Sequence, residues 1–179
     1  LVVDVNSEFD VPHSRWNNVF PEQFAEAGLR VLVTGDDGCV HLATSADGIR
    51  SVFFQGHPEY DTISLLKEYK RDVNLFIDGE LVDYPPMPEN YFRAFCAATM
   101  REYRWRLRRF MDNESGRVAI AAAPGFPEHL VVPRLQNTWR DTASAVVGAW
   151  IGLIYQLTGL DRHQPFMEGI DPANPLGLD

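Results

Sequence analysis

Three β-rich segments separated by two short turns constrain the fold of this chain more than any other feature of its sequence. Residues 35–38 (GDDG) and 45–48 (SADG) carry the glycine and aspartate that are typical of tight turns. β-Branched and other apolar residues are frequent in the flanking segments, which are residues 29–34, 39–44 and 49–55. Because strands joined by tight turns pair as neighbours, the sequence predicts a three-stranded meander that ends just before Gly56.

Four segments have the apolar periodicity or the end signals of helices, and they are residues 20–28, 61–77, 88–112 and 137–159. The second helix has an apolar stripe that consists of Leu65, Leu66, Tyr69, Val73 and Phe76. Strands followed by core-facing helices predict an α/β fold. Shorter segments are expected to form a first strand (residues 1–5), a strand or a helix (residues 118–123) and an extended tail (residues 161–179).

The motif GHPEYD, residues 56–61, lies where the third strand ends and the second helix begins. Side chains two residues apart at a strand end point the same way, so the Glu59 carboxylate can reach the His57 ring. A histidine oriented by a carboxylate is the base of a nucleophilic triad. The alternative is a histidine in a turn, with Glu59 favouring the positive end of the helix dipole.

Glu68 and Arg71 follow on the predicted helix, three residues apart and therefore on one face. The planar guanidinium of an arginine suits a carboxylate ligand, which makes Arg71 a candidate for substrate binding. The alternative is an exposed ion pair of little energetic consequence.

Residues 12–16 (PHSRW) form a polar segment upstream of the strands. The Ser14 hydroxyl can exchange hydrogen bonds with a substrate amine or hydroxyl, and Arg15 can pair with an anion. The alternative is a loop in which the serine caps a turn.

These motifs together resemble the homoserine O-acyltransferase family, the homoserine O-succinyltransferases and O-acetyltransferases of methionine biosynthesis. The resemblance is carried by GHPEYD, by EYKRD (residues 68–72) and by PHSR, with Ser14 placed 43 residues before His57. It continues in TWR (residues 138–140), AWIG (149–152) and YQLT (155–158). The family-like core is therefore expected in residues 1–78 and 137–179, with residues 79–136 as an insertion that contains an arginine-rich helix.

The resemblance implies part of a three-layer, class I glutamine amidotransferase-like (flavodoxin-like) sheet with helices on both faces. It also implies acyl transfer from succinyl- or acetyl-coenzyme A to the hydroxyl of L-homoserine or L-serine through an acyl-cysteine. His57 would be the base, and Glu59 would orient it. Arg71 would hold the amino-acid carboxylate, supported by Glu68, and Ser14 would line the pocket.

In the family the nucleophilic cysteine stands ahead of the PHSR motif. The chain is therefore expected to be the C-terminal half of a split enzyme whose other half carries the cysteine. A truncated fragment and a relative that only binds or regulates are the alternatives. A class I glutamine amidotransferase-like hydrolase would also use His-Pro-Glu, but PHSR and EYKRD favour the acyltransferase.

Neither cysteine of this chain fits the nucleophile. Cys39 lies at a hairpin end near Asp36 and Asp37, and neighbouring carboxylates raise a thiol pKa instead of lowering it. Cys96 lies among apolar residues of a predicted helix and is expected to be a packed thiol.

Charge and composition limit the partners. The net charge of −9 argues against binding to nucleic acid or to an anionic membrane, and no apolar run has the length of a membrane helix. Two cysteines in 179 residues favour a reducing, cytoplasmic location over a disulfide scaffold. No resident cofactor or metal is expected, because acyl-coenzyme A would be a substrate.

The predicted helix over residues 88–112 contains six arginines among aromatic residues. These arginines can bind a polyanion such as the phosphates of coenzyme A. The alternatives are a solvated helix face whose aromatic residues pack on the body, and a contact in a homodimer of the complete enzyme.

Overall fold

The computed structural model describes residues 1–2, 5–15, 17–113 and 122–158, and these residues form an α/β structure. The chain divides into two compact units. One, which we call the sheet unit, contains residues 1–59 and 138–179, and the other, the helical unit, contains residues 60–137. The predicted family-like core (1–78 and 137–179) and insertion (79–136) were defined by resemblance to a family. The compact units do not test such a division, so these limits stay a prediction.

The described residues of the sheet unit form three antiparallel strands in the order β1-β2-β3, which confirms the predicted meander. They are β1 (Arg30–Thr34), β2 (Val40–Thr44) and β3 (Val52–Phe54). Every residue of the central strand is buried. The first turn is closed by a hydrogen bond from the Gly35 N–H to the Cys39 carbonyl (2.8 Å), and Gly38 has the positive φ of 77° that favours glycine.

The third strand is shorter than the predicted segment 49–55. The Asp47 carboxylate accepts hydrogen bonds from the backbone N–H groups of Ile49 (3.1 Å) and Arg50 (3.0 Å). These residues therefore belong to the turn and do not pair with β2. An aspartate that bonds the backbone two or three residues ahead is a common way to extend a turn at the expense of a strand.

In the described part of the sheet unit two helices accompany the strands, α1 (Pro21–Glu26) and α5 (Arg140–Thr158). Phe24 of α1 is buried in a small core with Val40 and Ala43 of β2. In α5 the Trp150 Nε1–H donates to the Ile49 carbonyl (2.9 Å), which ties the helix to the turn before β3. Helix α1 therefore packs on β2, and α5 is attached to the turn before β3.

The helical unit contains α2 (Ser64–Ile77), α3 (Ala94–Asn113) and α4 (Glu128–Val131), the last followed by a 3₁₀ turn (Val132–Arg134). Its core is formed by buried residues of all three helices and of the connecting segment, namely Leu66, Tyr69, Val73, Ile77, Tyr84, Cys96, Met100, Tyr103, Leu107 and Val131. The predicted stripe of α2 is confirmed, except that Ile77 is more deeply buried than Phe76.

The arginine-rich helix begins at Ala94 and not at Pro88. Asn90 has a left-handed φ of 56°, which interrupts a right-handed helix and places the preceding residues in a turn. Tyr103 packs in the core, but Trp105 is 57% exposed, contrary to the expectation that the aromatic residues pack on the body. The Arg104 guanidinium stacks on Tyr84 at 4.7 Å, so part of the arginine face is engaged within the unit.

Several predicted segments lie wholly or partly outside the described residues. They are the first strand (residues 1–5), the segment 118–123 and the tail (161–179). In the part that is described, no helix is both long and apolar enough to cross a membrane.

Candidate active site

The segment after β3 places His57 beside the PHSR segment of the same unit. The Gln55 N–H continues the pairing with β2 through the His41 carbonyl (2.9 Å). Two residues later the His57 N–H donates to the Pro12 carbonyl (2.7 Å). The backbone of His57 is therefore fixed on one side by the sheet and on the other by residue 12.

His57 and Glu59 form the pair predicted from the sequence. The His57 Nδ1–H donates to Glu59 Oε1 at 2.9 Å, and the His57 side chain is 33% exposed. Partial desolvation is the largest single influence on Glu59 and opposes its ionisation. The hydrogen bond from His57, a backbone hydrogen bond and the charge of His57 together outweigh it, so the pKa of Glu59 is lowered. With the proton on Nδ1, Nε2 is the basic nitrogen of the ring, as in the histidine of a nucleophilic triad.

Ser14 lies next to the other ring nitrogen of His57. The Ser14 carbonyl is 3.4 Å from His57 Nε2, while its hydroxyl makes no hydrogen bond to any described residue. When Nε2 is protonated, the carbonyl can accept its N–H and stabilise the imidazolium. The sequence singled out Ser14 for its hydroxyl, whereas the contact with His57 is made by the backbone.

Arg15 is held within the sheet unit by three side chains. Its Nε donates to Asn18 Oδ1 (2.7 Å), its Nη2 donates to Asp37 Oδ2 (2.8 Å), and its Nη1 contacts His13 Nδ1. The side chain is only 15% exposed. The structure thus places Arg15 between the PHSR segment and the β1–β2 turn, and its role in substrate binding stays a prediction.

Two further histidines surround Gly56, and the sequence did not identify them as part of the site. The His41 ring on β2 is buried and lies 5.6 Å from the His13 ring, centroid to centroid. A Cβ added to Gly56 would lie 2.5 Å from Val11 Cγ1, 2.8 Å from His41 Nδ1 and 3.0 Å from His13 Nε2. Only glycine therefore fits before His57. The sequence offered one signal for this part of the site, the polar residue His41 among the apolar residues of β2.

Phe9, Phe54 and the first turns of α5 enclose the same region. A small, largely apolar cavity there is lined by side chains of the sheet unit, namely Phe9, Val11, His41, Phe54, Pro58, Trp139, Thr142, Ala143 and Val146. His41 Nδ1 has no hydrogen-bond partner among the described residues. Burial first, then the neighbouring His13 and Arg15, lower the pKa of His41 from 6.5 to about 4.

This lowered pKa predicts that the fold loses stability in acid. Between pH 6.5 and pH 4, His41 is protonated in the unfolded chain but stays neutral in the folded protein. The free energy of unfolding therefore falls as the pH falls. The difference of pKa corresponds to about 3 kcal/mol at pH 4. Urea unfolding at pH 7 and pH 4 is expected to show a smaller acid loss for His41→Phe than for the unmodified protein. Equal losses in both would contradict the assignment.

In the helical unit, Glu68 and Arg71 lie on α2 but do not pair within 4 Å. Glu68 accepts a hydrogen bond from the Tyr60 hydroxyl (2.7 Å), and Arg71 Nε donates to Asp72 (2.9 Å). The hydrogen bond to Asp72 is the main cause that raises the pKa of Arg71. The Arg71 side chain is exposed, and its two Nη groups make no hydrogen bond to described residues. Both Nη groups are thus available to a carboxylate ligand.

The two cysteines have the environments expected from the sequence. Cys39 is buried, and burial followed by the contact with Asp37 raises the pKa of its thiol. Cys96 is buried in the helical core, 4.0 Å from the Val131 carbonyl. Among the described residues, no group of three or more His, Cys, Asp and Glu side chains could hold a metal ion.

Comparison with known proteins agrees with these motifs. The family model described as HTS, homoserine O-succinyltransferase, matches residues 1–160. Curated homoserine O-succinyltransferases are similar over 99% of the chain, with 56% identity in Allochromatium vinosum and 54% in both Methylococcus capsulatus and Thiobacillus denitrificans. The match covers 48% of each relative, so the chain spans about half the length of the curated relatives it matches.

Proposed function

The chain belongs to the homoserine O-succinyltransferase family, and on that basis we propose that it provides the general base for acyl transfer to L-homoserine in methionine biosynthesis. The observation that carries the proposal is the 2.9 Å hydrogen bond between His57 Nδ1 and Glu59, which holds the ring in the tautomer whose basic nitrogen is Nε2. The names of the relatives favour succinyl-coenzyme A over acetyl-coenzyme A as the acyl donor, and homoserine over serine as the acceptor.

The proposed reaction has two acyl transfers. In the first, a cysteine thiolate attacks the thioester carbonyl of the acyl donor, the bond to the coenzyme A sulfur breaks, and coenzyme A leaves as the thiol after protonation. In the second, the homoserine hydroxyl attacks the acyl-cysteine, and the cysteine leaves. One acyl group moves from sulfur to sulfur to oxygen, and no oxidant or reductant is needed.

Within this scheme His57 moves the protons. Its Nε2 takes the proton of the thiol in the first step and that of the homoserine hydroxyl in the second, and it returns each to the leaving sulfur. The Glu59 carboxylate holds the ring in the tautomer that this requires and stabilises the imidazolium. The Ser14 carbonyl, at 3.4 Å, offers the protonated Nε2 a second acceptor.

The nucleophilic cysteine is proposed to come from residues outside this chain. Cys39 and Cys96 are both buried, and the pKa of Cys39 is raised. The relatives are about twice as long as this chain, which leaves room for the cysteine and the acyl-coenzyme A pocket. We use the term assembled enzyme for this chain together with the part that supplies the cysteine. A homodimer of that enzyme and a cytoplasmic location stay predictions.

The sheet supports this proposal. Among the described residues, β1 and β3 each have one neighbouring strand, so each leaves one edge without a partner. Such edges are normally paired or covered. The three strands are therefore proposed to be part of a larger three-layer sheet with helices on both faces, as in class I glutamine amidotransferase-like enzymes.

The test is a steady-state assay of the assembled enzyme with the two donors and the two acceptors. Free coenzyme A and the O-acyl amino acid should appear in equal amounts, fastest with succinyl-coenzyme A and homoserine. Release of ammonia from glutamine, without transfer from any acyl-coenzyme A, would instead assign the His57–Glu59 pair to a hydrolase.

Arg71→Ala is expected to raise the KM for homoserine about 10-fold or more, with kcat little changed, because a charge-assisted pair with the substrate carboxylate is lost. The matched control is Lys67→Ala, which removes an exposed cation from the same helix. Initial rates at varied homoserine concentrations measure the effect. An Arg71 variant with the KM of the Lys67 variant would remove Arg71 from the acceptor site.

A further inference from the structure

The β1–β2 turn is tied to the PHSR segment through an ion pair between residues that are 22 apart in the chain. Arg15 Nη2 donates to Asp37 Oδ2 at 2.8 Å. The other carboxylate oxygen of Asp37 accepts the Cys39 N–H at 3.0 Å, which folds Asp37 back over its own turn. The hydrogen bond from Cys39, aided by Arg15, lowers the pKa of Asp37, so the carboxylate stays charged in mild acid.

The Arg15 guanidinium also contacts side chains in and just after the PHSR segment, so the ion pair with Asp37 attaches this segment to the β1–β2 turn. All three of its nitrogens are engaged, with Asn18, Asp37 and His13. The protein uses three of the five N–H donors of this arginine, one at each nitrogen, and the side chain is only 15% exposed, which limits what it can offer a substrate anion. Its geometry is that of a structural clamp.

The clamped segment in turn contacts His57 twice. The Pro12 carbonyl accepts the His57 N–H at 2.7 Å, and the Ser14 carbonyl lies 3.4 Å from Nε2. Any displacement of residues 12–14 therefore changes the direction of the histidine backbone and the environment of the basic nitrogen. A side chain that must lie within a fraction of an ångström of its reacting partner is sensitive to such shifts.

From these contacts we infer that Asp37 and Arg15 are positioning residues for His57, acting as one unit through the carbonyl groups of Pro12 and Ser14. This role differs from the substrate-binding role that the sequence predicted for Arg15. The inference rests on the proposed function, because it assumes that His57 is the base of the reaction. It adds to that function two residues that lie outside the His57–Glu59 pair.

The test is a double-mutant cycle in the assembled enzyme. Asp37→Asn and Arg15→Gln are each expected to lower kcat about 10-fold with little change in either KM, because they misplace the base and leave the substrate contacts in place. The double variant should be no worse than the poorer single variant, since both changes break the same link. Asp37→Glu, which keeps the charge, should recover most of the lost rate.

The matched control is Asp36→Asn, an exposed neighbour in the same turn, which should keep the unmodified kcat. Thermal unfolding of each variant separates loss of position from loss of fold. Unchanged rates in Asp37→Asn, or losses that multiply in the double variant, would overturn the inference. A raised substrate KM with unchanged kcat in Arg15→Gln would also overturn the inference, and it would support the substrate-binding role predicted from the sequence. If the unmodified assembled enzyme transfers no acyl group, that result contradicts the proposed function, whereas the contacts that Arg15 and Asp37 make are not affected by it.

Discussion

His57→Ala is expected to lower kcat of the assembled enzyme by about 10³-fold or more. In the unmodified enzyme His57 Nε2 moves a proton in both acyl transfers. Without it, neither the thiol nor the homoserine hydroxyl is activated. Glu59→Gln should lower kcat less, by about 10²-fold, because the ring stays in place but loses the carboxylate that stabilises its charged form. Release of coenzyme A at saturating donor and acceptor measures both.

The matched control for this substitution is His129→Ala. His129 is an exposed histidine of α4 in the helical unit, and its removal should leave kcat unchanged. The KM values in His57→Ala should stay near those of the unmodified enzyme, since the ring acts in the transition state more than in binding. Unmodified rates in the His57 variant would exclude it as the base.

Gly56→Ala is expected to lower kcat by about 10²-fold, as much as Glu59→Gln, although it adds a single methyl group. The new Cβ would lie 2.5 Å from Val11 Cγ1 and 2.8 Å from His41 Nδ1. Valine is stiff about its first torsion and the His41 ring is buried, so the backbone at residue 56 must move, and it carries His57 with it. Overpacking of this kind should also destabilise the fold by about 1–3 kcal/mol.

Gly125→Ala is the control for the added methyl group, because a Cβ at Gly125 would meet nothing within 4 Å. It should keep both the unfolding midpoint and kcat. The Gly56 variant should unfold earlier and react more slowly. Full activity in a stably folded Gly56→Ala protein would show that the packing beneath His57 does not set its position.

The sequence predicted the parts of the structure that are determined locally. The meander followed from two glycine-containing turns, and the pairing of His57 with Glu59 followed from their spacing at a strand end. The stripe of α2 followed from its periodicity. In each case the residues that decide the outcome are close together in the chain, so propensity and spacing were sufficient.

The sequence failed where one side chain overrides its neighbours or where distant residues meet. The Asp47 carboxylate bonds the backbone of Ile49 and Arg50, so these residues belong to the turn and not to β3. The left-handed φ of Asn90 places the start of α3 further along the chain than predicted. The contacts of Arg15 with Asp37, and of Gly56 with His41, join residues that are far apart in the chain. No local pattern shows which side chains such segments bring together.

The central claim is that this chain supplies the base for an acyl-cysteine located outside it. The most direct measurement is intact-mass analysis of the assembled enzyme after brief exposure to succinyl-coenzyme A without homoserine, followed by digestion to locate the added group. We expect one succinyl group on a cysteine outside this chain, lost when homoserine is added, and formed far more slowly in His57→Ala. A succinyl group on Cys39 or Cys96, or no acyl-enzyme at all, would contradict the claim.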